Sequence, residues 1–293
     1  MPRGRRAGYL GPEGTFSEQA LLASAVPDAV EPVPLATIYD TVAALGRGEL
    51  EWAVVPIENS LEGSINVTLD LLADDAGDVK IVGETLLRVR HALIGATDVA
   101  LEEIDTVLTH PQVPGQCTRF LRGELARARV EPASSTAEAV RIVVADGRRA
   151  QAALGTELAA RIYGATVLRT GVEDRADNET RFVWLAEAAM ADERAPLRAN
   201  ESGEWKTSLV FWGAGAEHAG WLVRCLDEFA RRDINLTKIE SRPRRQGLGS
   251  YMFFVDLAAR VHDPPVAAAI AGVGAICEEV RVLGSYAAAA APA

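Results

Sequence analysis

A carboxylate, an amide and hydroxyl groups follow one short apolar run of the sequence. The run 52–55 is typical of a buried strand, and the polar residues come after it within a few positions. In open α/β sheets, ligands bind beyond the carboxyl ends of the strands, where such side chains can donate protons or hold a charged group. A capped turn leading into a helix near Ile65 would use the same residue types, so both interpretations stay open. The candidate side chains are Glu58, Asn59, Ser60 and Ser64.

Three further polar segments stand where predicted strands end. Neutral amides and hydroxyls in such places can hold a carboxylate or a carbonyl group without the strong pairing that an arginine gives. Turn capping and loop hydrogen bonds are the alternative for each segment taken singly. We expect the segments to converge in one cleft with the first. Their residues are Thr109, His110, Gln116, Ser134, Ser135, Thr136, Asn178, Thr180, Arg181 and Phe182.

The elements that must position these residues alternate between short apolar runs and amphipathic helical segments. This alternation is typical of the α/β class, with a mainly parallel sheet flanked by helices. Capping boxes predict helix starts at Thr15 with Glu18 and at Ser135 with Glu138. The predicted strands are 8–10, 52–55, 81–94, 104–108, 151–154, 165–168 and 181–185.

The sequence after residue 186 predicts a change of domain. Apolar periodicity disappears over 187–204, which we interpret as a linker. Residues 205–286 then read strand, helix, strand, strand, helix, strand, the βαββαβ order of a ferredoxin-like sandwich. We therefore expect a two-lobed α/β domain with a cleft over 7–186, the linker, the ferredoxin-like domain over 205–286, and a disordered tail over 287–293.

Charge and composition exclude several classes of partner. The chain has 293 residues, of which 48% are hydrophobic, and a net charge of -11. An acidic chain without a basic patch argues against nucleic acid and against anionic membrane surfaces. No apolar stretch approaches the about 20 residues of a membrane span and no export segment is visible, so we expect a cytoplasmic protein. Three distant cysteines without a histidine cluster predict neither a disulfide framework nor a metal site.

The polar segments, taken in order, resemble the prephenate dehydratase family. The resemblance covers residues 8 to about 186, and its segments are 11–18 (Gly-Pro-Glu-Gly-Thr-Phe-Ser-Glu), 58–64, 109–116, 134–136 and 178–182. Residues 235–243, which end in Glu-Ser-Arg-Pro, are similar to the ESRP signature of the ACT regulatory domain. The resemblance implies a catalytic domain of two lobes like those of periplasmic binding proteins, followed by an ACT domain.

The resemblance implies a carbon-oxygen lyase that converts prephenate to phenylpyruvate in phenylalanine biosynthesis. The substrate ring loses carbon dioxide and hydroxide, and the barrier lies in expelling the poor leaving group. The chemistry requires a proton donor at the leaving oxygen and an anchor for the pyruvyl carboxylate, and no metal or organic cofactor. Nothing in the sequence predicts an attached chorismate mutase domain, so we expect a monofunctional enzyme.

By resemblance, Thr180 is the critical hydroxyl. A threonine hydroxyl scarcely ionises near neutral pH, so it acts as a hydrogen-bond donor whose proton must be re-supplied. Glu58 is the first candidate source, with a pKa raised in a dry cleft. His110 is the second, with turn capping as its alternative. We assign Thr180, Glu58, Asn59 and Gln116 to catalysis, and Ser60, Ser64, Thr109, His110, Ser135, Arg181 and Phe182 to substrate binding.

Arg181 provides a possible counter-charge for a substrate carboxylate, because a guanidinium matches it as a bidentate fork. Consecutive side chains of a strand point to opposite faces, however, so Thr180 and Arg181 cannot both point straight into one pocket. A structural ion pair with Glu179 or Asp177 is the alternative for Arg181. Phe182 shares the face of Thr180, where it packs against the substrate ring or belongs to the core.

For the second domain, the resemblance implies binding of phenylalanine between paired ACT domains, feedback inhibition, and a homodimer or homotetramer. Trp221 stands where the family has alanine, so its indole either fills the effector pocket or turns away from it. Two other functions stay open: a dehydratase acting on arogenate, and a non-catalytic amino-acid sensor. The implied effector residues are Gly220, Leu222, Glu240, Ser241, Arg242 and Pro243.

Overall fold

The structure is a computed structural model that describes residues 5–75, 78–190, 195–198, 203–213, 218–245, 247 and 249–290. Its described strands form three sheets of six, five and four strands. The first two sheets belong to two lobes, lobe 1 and lobe 2. The third belongs to a C-terminal domain made of the described residues from 203 onward. None of the helices in the described ranges is both long and apolar enough to span a bilayer.

Lobe 1 is built on the six-stranded sheet. The central strand β3 lies beside β1, and β11 lies between β3 and β5. Its strands are β1 (Arg5–Leu10), β2 (Val30–Leu35), β3 (Trp52–Asn59), β4 (Gly63–Ser64), β5 (Val79–Arg88) and β11 (Glu179–Glu187). Its helices are α1 (Phe16–Ser24), α2 (Ile38–Gly46) and α3 (Asn66–Asp70). The ladders of β1 with β2 and β3 are parallel, whereas β11 runs antiparallel to both of its neighbours, so the sheet is mixed.

Lobe 2 is built on the five-stranded sheet, which is also mixed. Its strands are β6 (Ala92–Gly95), β7 (Thr106–Thr109), β8 (Arg129–Pro132), β9 (Gln151–Gly155) and β10 (Thr166–Thr170). Its helices are α4 (Val113–Gln116), α5 (Thr118–Glu124), α6 (Thr136–Asp146) and α7 (Glu157–Tyr163). Strand β7 pairs in parallel with β8 and β9, and β6 pairs antiparallel with β9 and β10.

The predicted strand 81–94 is wrong as a single element, because it is β5 of lobe 1 followed by β6 of lobe 2. The chain leaves the first ladder after Arg88, where the Val89 N–H donates to the Asn178 carbonyl at 2.8 Å. The return crossing runs beside it, since the Val172 N–H donates to the His91 carbonyl at 3.2 Å. Two adjacent segments therefore connect the lobes.

The C-terminal domain has the predicted βαββαβ order, and this prediction is confirmed. Its elements are β12 (Trp205–Trp212), α8 (Trp221–Ala230), β13 (Leu236–Pro243), β14 (Tyr251–Leu257), α9 (Pro264–Gly274) and β15 (Glu279–Ala287). Alternate residues of β12 separate its two faces. Leu209 and Phe211 pack under the helices, whereas Val210 and Trp212 join the core of lobe 1. The sheet is thus packed between its own helices and lobe 1.

Strand β11 is buried on both faces. Phe182 and Trp184 pack with the residues under α1, whereas Val183 and Leu185 pack with those under α2 and with the C-terminal sheet. Burial of this kind contributes roughly 25 cal/mol for each Å² of apolar surface removed from water. The strand that carries the predicted catalytic threonine therefore belongs to two hydrophobic cores at once.

The predicted linker and tail differ in part from the structure. Within 187–204, the Val26 N–H donates to the Pro196 carbonyl and the Arg198 N–H to the Ser24 carbonyl, so this part packs on lobe 1. The predicted disordered tail 287–293 begins as ordered chain. The Ala289 N–H donates to Glu84 at 2.9 Å. Residues 191–194, 199–202 and 291–293 lie outside the described residues. The domain limits stay predictions.

Gly284 generates a test of the packing between the C-terminal domain and lobe 1. A Cβ at this position would overlap the backbone carbonyl of Ile81, which cannot move without disturbing β5. We expect Gly284→Ala to lower the free energy of unfolding by about 1–3 kcal/mol, measured by urea titration. Gly274→Ala is the control, because its Cβ meets nothing within 4 Å. Equal midpoints for both variants would contradict the close approach.

Candidate active site

A cavity of about 870 Å³ lies between the two lobes. Lobe 1 contributes the chain before α1 and the carboxyl end of β3, and lobe 2 contributes the starts of α4 and α6. Six of the residues predicted for catalysis or substrate binding line it: Asn59, His110, Gln116, Ser135, Thr180 and Phe182. The structure therefore brings together residues from all four predicted polar segments. Their individual roles stay predictions.

The hydroxyl of Thr180 is held by an oriented amide. Asn59 Nδ2 donates to Thr180 Oγ1 at 2.9 Å. The amide cannot be flipped, because Asn59 Oδ1 accepts from the N–H groups of Leu61 and Glu62, both at 2.9 Å. Thr180 Oγ1 thus already accepts a hydrogen bond, and its own proton is available to a group in the cleft.

Gln116 joins this pair to lobe 2. Its Oε1 accepts from Asn178 Nδ2 and contacts His91 Nε2, each at 3.1 Å. Asn178 Oδ1 in turn accepts from Asn59 Nδ2 at 2.9 Å. A chain of three amides therefore runs from Thr180 across the cleft to His91. Such networks specify one arrangement of their members because each polar group has its partner.

His91 was missed by sequence analysis. Its side chain lines the cleft, is 2% exposed, and meets Phe16 edge-on with ring centroids 5.5 Å apart. Burial lowers the pKa of this imidazole below its usual value. The contact with Gln116 Oε1 requires the tautomer protonated on Nε2, and Nδ1 is buried without a hydrogen-bond partner. Recognition of a chain crossing after Arg88 would have placed His91 at a strand end.

Charged residues around the cleft are mainly acidic. Glu13, Glu62 and Glu138 line it, and of the described lining residues Arg141 alone is an arginine or lysine. Arg141 forms a bidentate pair with Glu138 at 2.6 and 2.7 Å, a hydrogen-bonded pairing that lowers the pKa of that carboxyl. Glu62 lies beside Gln116, with its Oε1 3.4 Å from Gln116 Nε2. The cleft therefore presents neutral donors and the N-terminus of α6, which Ser135 caps. Such groups can hold an anion without a paired cation.

Glu58 does not face the cleft, and the prediction that it re-supplies the proton of Thr180 is wrong. Its carboxylate lies 3.1 Å from Lys238 of the C-terminal domain and 3.6 Å from Arg181. A bulge in β3 explains the placement: Glu58 pairs with Arg181 and Pro56 with Phe182, which leaves Ile57 as the extra residue. A bulge reverses the faces of the residues beyond it. Glu58 is thereby turned from the cleft and Asn59 into it.

Arg181 and Ser64 also belong to the domain interface, so their predicted substrate-binding roles are corrected. The Arg181 guanidinium donates to Glu84 and Asp256, both at 2.6 Å. Ser64 Oγ is 3.0 Å from Glu240 and 2.8 Å from Lys238 of the C-terminal domain. The proposed alternative partners of Arg181 pair elsewhere: Glu179 with Arg88, and Asp177 with Arg175.

Thr109 and Ser60 make backbone contacts instead of lining the cleft. Thr109 Oγ1 is 1% exposed and donates to the Leu154 carbonyl at 2.9 Å. Ser60 Oγ accepts from the Glu179 N–H at 3.0 Å. The alternative of loop hydrogen bonds is therefore correct for Thr109. Ser60 Oγ also donates to Asn178 Oδ1 at 3.4 Å. Neither residue lines the cleft, so their predicted contact with substrate is corrected.

The predicted effector residues are divided between two faces of the C-terminal domain. Gly220 and Leu222 line a second cavity of about 260 Å³, together with Val223, Tyr251 and Phe253. Glu240 and Arg242 do not face it. Glu240 bonds Ser64, and Arg242 forms a forked pair with Asp70 of lobe 1 at 2.9 and 3.0 Å. The prediction that Glu240 and Arg242 bind the effector is therefore corrected. Ser241 and Pro243 are exposed on the other face of β13.

The indole of Trp221 points into the core of the C-terminal domain. It is 3% exposed, and its ring centroid lies 6.1 Å from that of Phe211 and 5.9 Å from that of Phe253. Its Nε1 donates to the Ile276 carbonyl at 3.3 Å. Trp221 thus forms one wall of the second cavity and leaves the space open.

The chain has a two-lobed α/β domain with a polar cleft between the lobes, followed by a ferredoxin-like domain. This architecture places it in the class of enzymes with an interlobe active site and a separate C-terminal domain. Within the described part of the chain, no cluster of His, Cys, Asp or Glu is suited to a metal ion. The sequence model of the prephenate dehydratase family matches residues 7–190. This chain belongs to the prephenate dehydratase family.

Individual relatives agree with this membership over nearly the whole chain. A prephenate dehydratase of Mycolicibacterium vanbaalenii is 39% identical over 95% of this chain and 89% of its own length. The crystal structure of a prephenate dehydratase from Arthrobacter aurescens in complex with L-Phe is 34% identical, with a TM-score of 0.84 over 96% of this chain and 90% of that chain. A structure described as GqqA, a novel type of quorum quenching acylase, is 29% identical, with a TM-score of 0.82 over 97% of this chain and 98% of its own.

The buried imidazole of His91 predicts a loss of stability in acid. Because burial lowers its pKa below 6.5, the unfolded chain binds more protons than the folded chain just below that pH. The contribution of His91 to the free energy of unfolding is therefore complete above pH 6.5 and falls as the pH drops through the window below it. Urea titrations between about pH 5 and 8 should show this slope, and His91→Gln should flatten it.

The control for this measurement is His262→Gln, which changes an exposed histidine of the C-terminal domain. It should keep the slope of the natural chain. An unchanged slope in His91→Gln would show that other groups cause the acid sensitivity.

Proposed function

We propose that this chain is a prephenate dehydratase, a carbon-oxygen lyase that forms phenylpyruvate in phenylalanine biosynthesis. The observation that carries the proposal is the pairing of Asn59 with Thr180, in which the Thr180 oxygen accepts and its own proton stays available for the cleft. That proton meets the main requirement of the reaction, a donor at the departing ring hydroxyl. The family match and the names of the relatives support prephenate as the substrate.

The reaction proceeds by coupled bond breaking in the substrate ring. The ring carboxylate leaves as carbon dioxide, and the electron pair of the broken C–C bond enters the ring. The C–O bond of the opposite carbon breaks, and the hydroxyl leaves as water after taking the proton offered by Thr180. Asn59 stabilises the hydroxyl oxygen of Thr180 as its proton is given up.

The cleft leaves the departing carboxylate without a cation to pair with among the described lining residues. A lysine or arginine paired with that carboxylate would stabilise the ground state, whereas neutral surroundings favour its loss as carbon dioxide. The cation that lines the cleft, Arg141, is already paired with Glu138. Glu62 lines the cleft beside Gln116, and we propose it in place of Glu58 as the carboxyl that takes up a proton from solvent and returns it to Thr180.

An acylase reaction, named for the relative that is 29% identical, has less support in this cleft. Hydrolysis of an amide bond requires an activated nucleophile, commonly a hydroxyl or thiol bonded to a histidine. Among the described residues that line the cleft, no hydroxyl or thiol is hydrogen-bonded to His91 or His110.

We further propose that the C-terminal domain is an ACT domain that binds phenylalanine as an inhibitor in the second cavity. The complex of the Arthrobacter aurescens protein with L-Phe supports this ligand. Aromatic walls from Trp221, Tyr251 and Phe253 suit a phenyl ring. Pairing of ACT domains in a homodimer or homotetramer is supported by exposed apolar side chains, with Val223 68% and Ile239 50% exposed. We keep Ser241 and Pro243 as proposed effector-binding residues. We also propose that the protein is cytoplasmic.

Replacement of Thr180 tests the dehydratase proposal. Thr180→Val removes the donor but keeps the shape of the side chain, so kcat for phenylpyruvate formation should fall by about 10²- to 10⁴-fold. Thr180→Ser is the matched control and should stay within about 10-fold of the natural chain. A Thr180→Val variant with natural kcat would contradict the assignment. The same assay with arogenate decides between the two substrates.

Replacement of Val223 tests the effector site. Val223→Glu places a carboxylate at the rim of the second cavity, where it repels the carboxylate of phenylalanine. The phenylalanine concentration for half-inhibition should rise by roughly 10-fold or more. Val130→Glu, at an exposed valine of lobe 2, is the control and should leave this concentration unchanged. Equal inhibition curves for both variants, or no inhibition of the natural chain, would contradict the proposal.

A further inference from the structure

Thr180 and Arg181 are neighbours on β11 whose side chains serve different domains. Thr180 lines the cleft, and Arg181 points through the sheet toward the C-terminal domain, where it is 7% exposed. Because the two residues share one peptide unit, a displacement or rotation of the Arg181 backbone moves the Thr180 hydroxyl with it.

The ladder of this part of β11 is interrupted on its β3 side, whereas its β5 side pairs residues 179–184 without a shift. The register between β11 and β3 shifts between Arg181 and Phe182, where Ile57 is the extra residue of β3 and Pro56 pairs with Phe182. Proline has no N–H to donate, and a bulge interrupts the ladder and re-aims the side chains beside it. The orientation of Arg181 and Thr180 therefore depends on side-chain contacts as well as on ladder hydrogen bonds.

Those contacts form a closed ring with the C-terminal domain. Arg181 Nη1 donates to Asp256 Oδ2 at 2.6 Å, and Nη2 donates to Tyr286 OH at 2.8 Å. Ser208 Oγ donates to Asp256 Oδ1 at 2.5 Å and lies 2.6 Å from Tyr286 OH. Since the Ser208 proton is used on Asp256, Tyr286 must donate to Ser208. Each donor in the ring thus has one acceptor.

The ring is buried and electrically balanced. Asp256 is 5% and Tyr286 is 2% exposed, and burial raises the pKa of the Tyr286 phenol, which stays protonated as the ring requires. On the other side of Arg181, Glu84 accepts from Arg181 Nε at 2.6 Å and from Lys206 at 2.8 Å. A guanidinium in this environment has one favourable orientation, because each of its three nitrogens donates to a different acceptor.

We propose that Arg181 is a positioning residue for Thr180 and that the C-terminal domain completes the active site by holding Arg181 through Asp256 and Tyr286. The inference rests on the proposed function, because the quantity that Arg181 controls is the placement of the proton donor. Lobe 1 by itself supplies Glu84 and the more distant Glu58, whereas Asp256, Ser208 and Tyr286 all come from the C-terminal sheet.

The consequence is a direct mechanical link between the two domains. A shift of β12, β14 or β15 relative to lobe 1 changes the ring and therefore the aim of the Thr180 hydroxyl. Misplacement of a reacting group by about 1 Å can cost about 10²-fold in rate. The hydrogen bonds of the ring reach the lining of the cleft through β11. We therefore expect a change in the ring to alter kcat, which depends on the aim of the Thr180 hydroxyl, more than KM.

The test compares two substitutions in the C-terminal domain with a control in the same domain. Tyr286→Phe removes one acceptor from Arg181 and should lower kcat roughly 10-fold, and Asp256→Asn should lower it roughly 100-fold, both with KM within about 2-fold. Glu228→Gln is the control: its carboxylate is equally buried and paired with Arg231 and Arg232, but on α8, away from lobe 1. It should keep the natural kcat.

Hydrogen exchange of the peptide that contains β11 gives a readout independent of activity. Exchange at residues 179–183 should become faster in Tyr286→Phe and Asp256→Asn, and should stay unchanged in Glu228→Gln. Natural kcat and natural exchange in Tyr286→Phe would overturn the proposal, as would equal losses in Glu228→Gln. If the natural chain leaves prephenate unchanged, the proposed function fails, and the exchange pattern alone decides whether the ring orders β11.

Discussion

The constraint on which the site depends is the two-residue period of a strand buried on both faces. Along β11, Thr180 and Phe182 point to the cleft side, and Arg181 and Val183 point to the C-terminal domain. A strand in this position cannot change on one face without consequences on the other. The proton donor, the buried charges and the contact between domains are therefore properties of one segment of backbone.

The cleft holds its polar groups by hydrogen bonding with little fixed positive charge. The amides of Asn59, Asn178 and Gln116 have their orientations determined by their partners, so each presents a known atom to its neighbour. The chain of amides joins lobe 1 to lobe 2 at the place where the chain crosses between them. A change in the angle between the lobes would alter these contacts, together with the bonds from Thr156 and Tyr163 to the carbonyls of Gly14 and Glu13, so their formation is a condition for the assembled site.

Sequence analysis identified polar segments that the structure brings to one cleft, but not the face to which each residue points. The C-terminal βαββαβ order followed from the order of strand and helix patterns along the chain, and the helix starts at Thr15 and Ser135 followed from capping boxes; both are local signals. The faces of Glu58 and Asn59 depend on one extra residue in β3, which no periodicity reveals. His91 was hidden because a continuous apolar pattern joined two strands of different lobes. The partners of Arg181 lie 75 to 105 positions away, and only tertiary structure brings them together.

Strand β13, at the edge of the C-terminal sheet, resembles β11 because its alternate side chains serve different faces. Lys238, Glu240 and Arg242 point to lobe 1, where they bond Glu58, Ser64 and Asp70, while Ile239 and Ser241 are exposed on the opposite face. The Glu-Ser-Arg-Pro signature therefore contains two alternating sets of side chains, and one set is already used by the catalytic part of the same chain. A ligand or a second subunit on the exposed face would contact a strand whose other face forms the ion pairs Lys238–Glu58 and Arg242–Asp70 with lobe 1. Because paired charges at a buried interface tolerate little displacement, such an event would change the geometry of lobe 1 without touching the cleft.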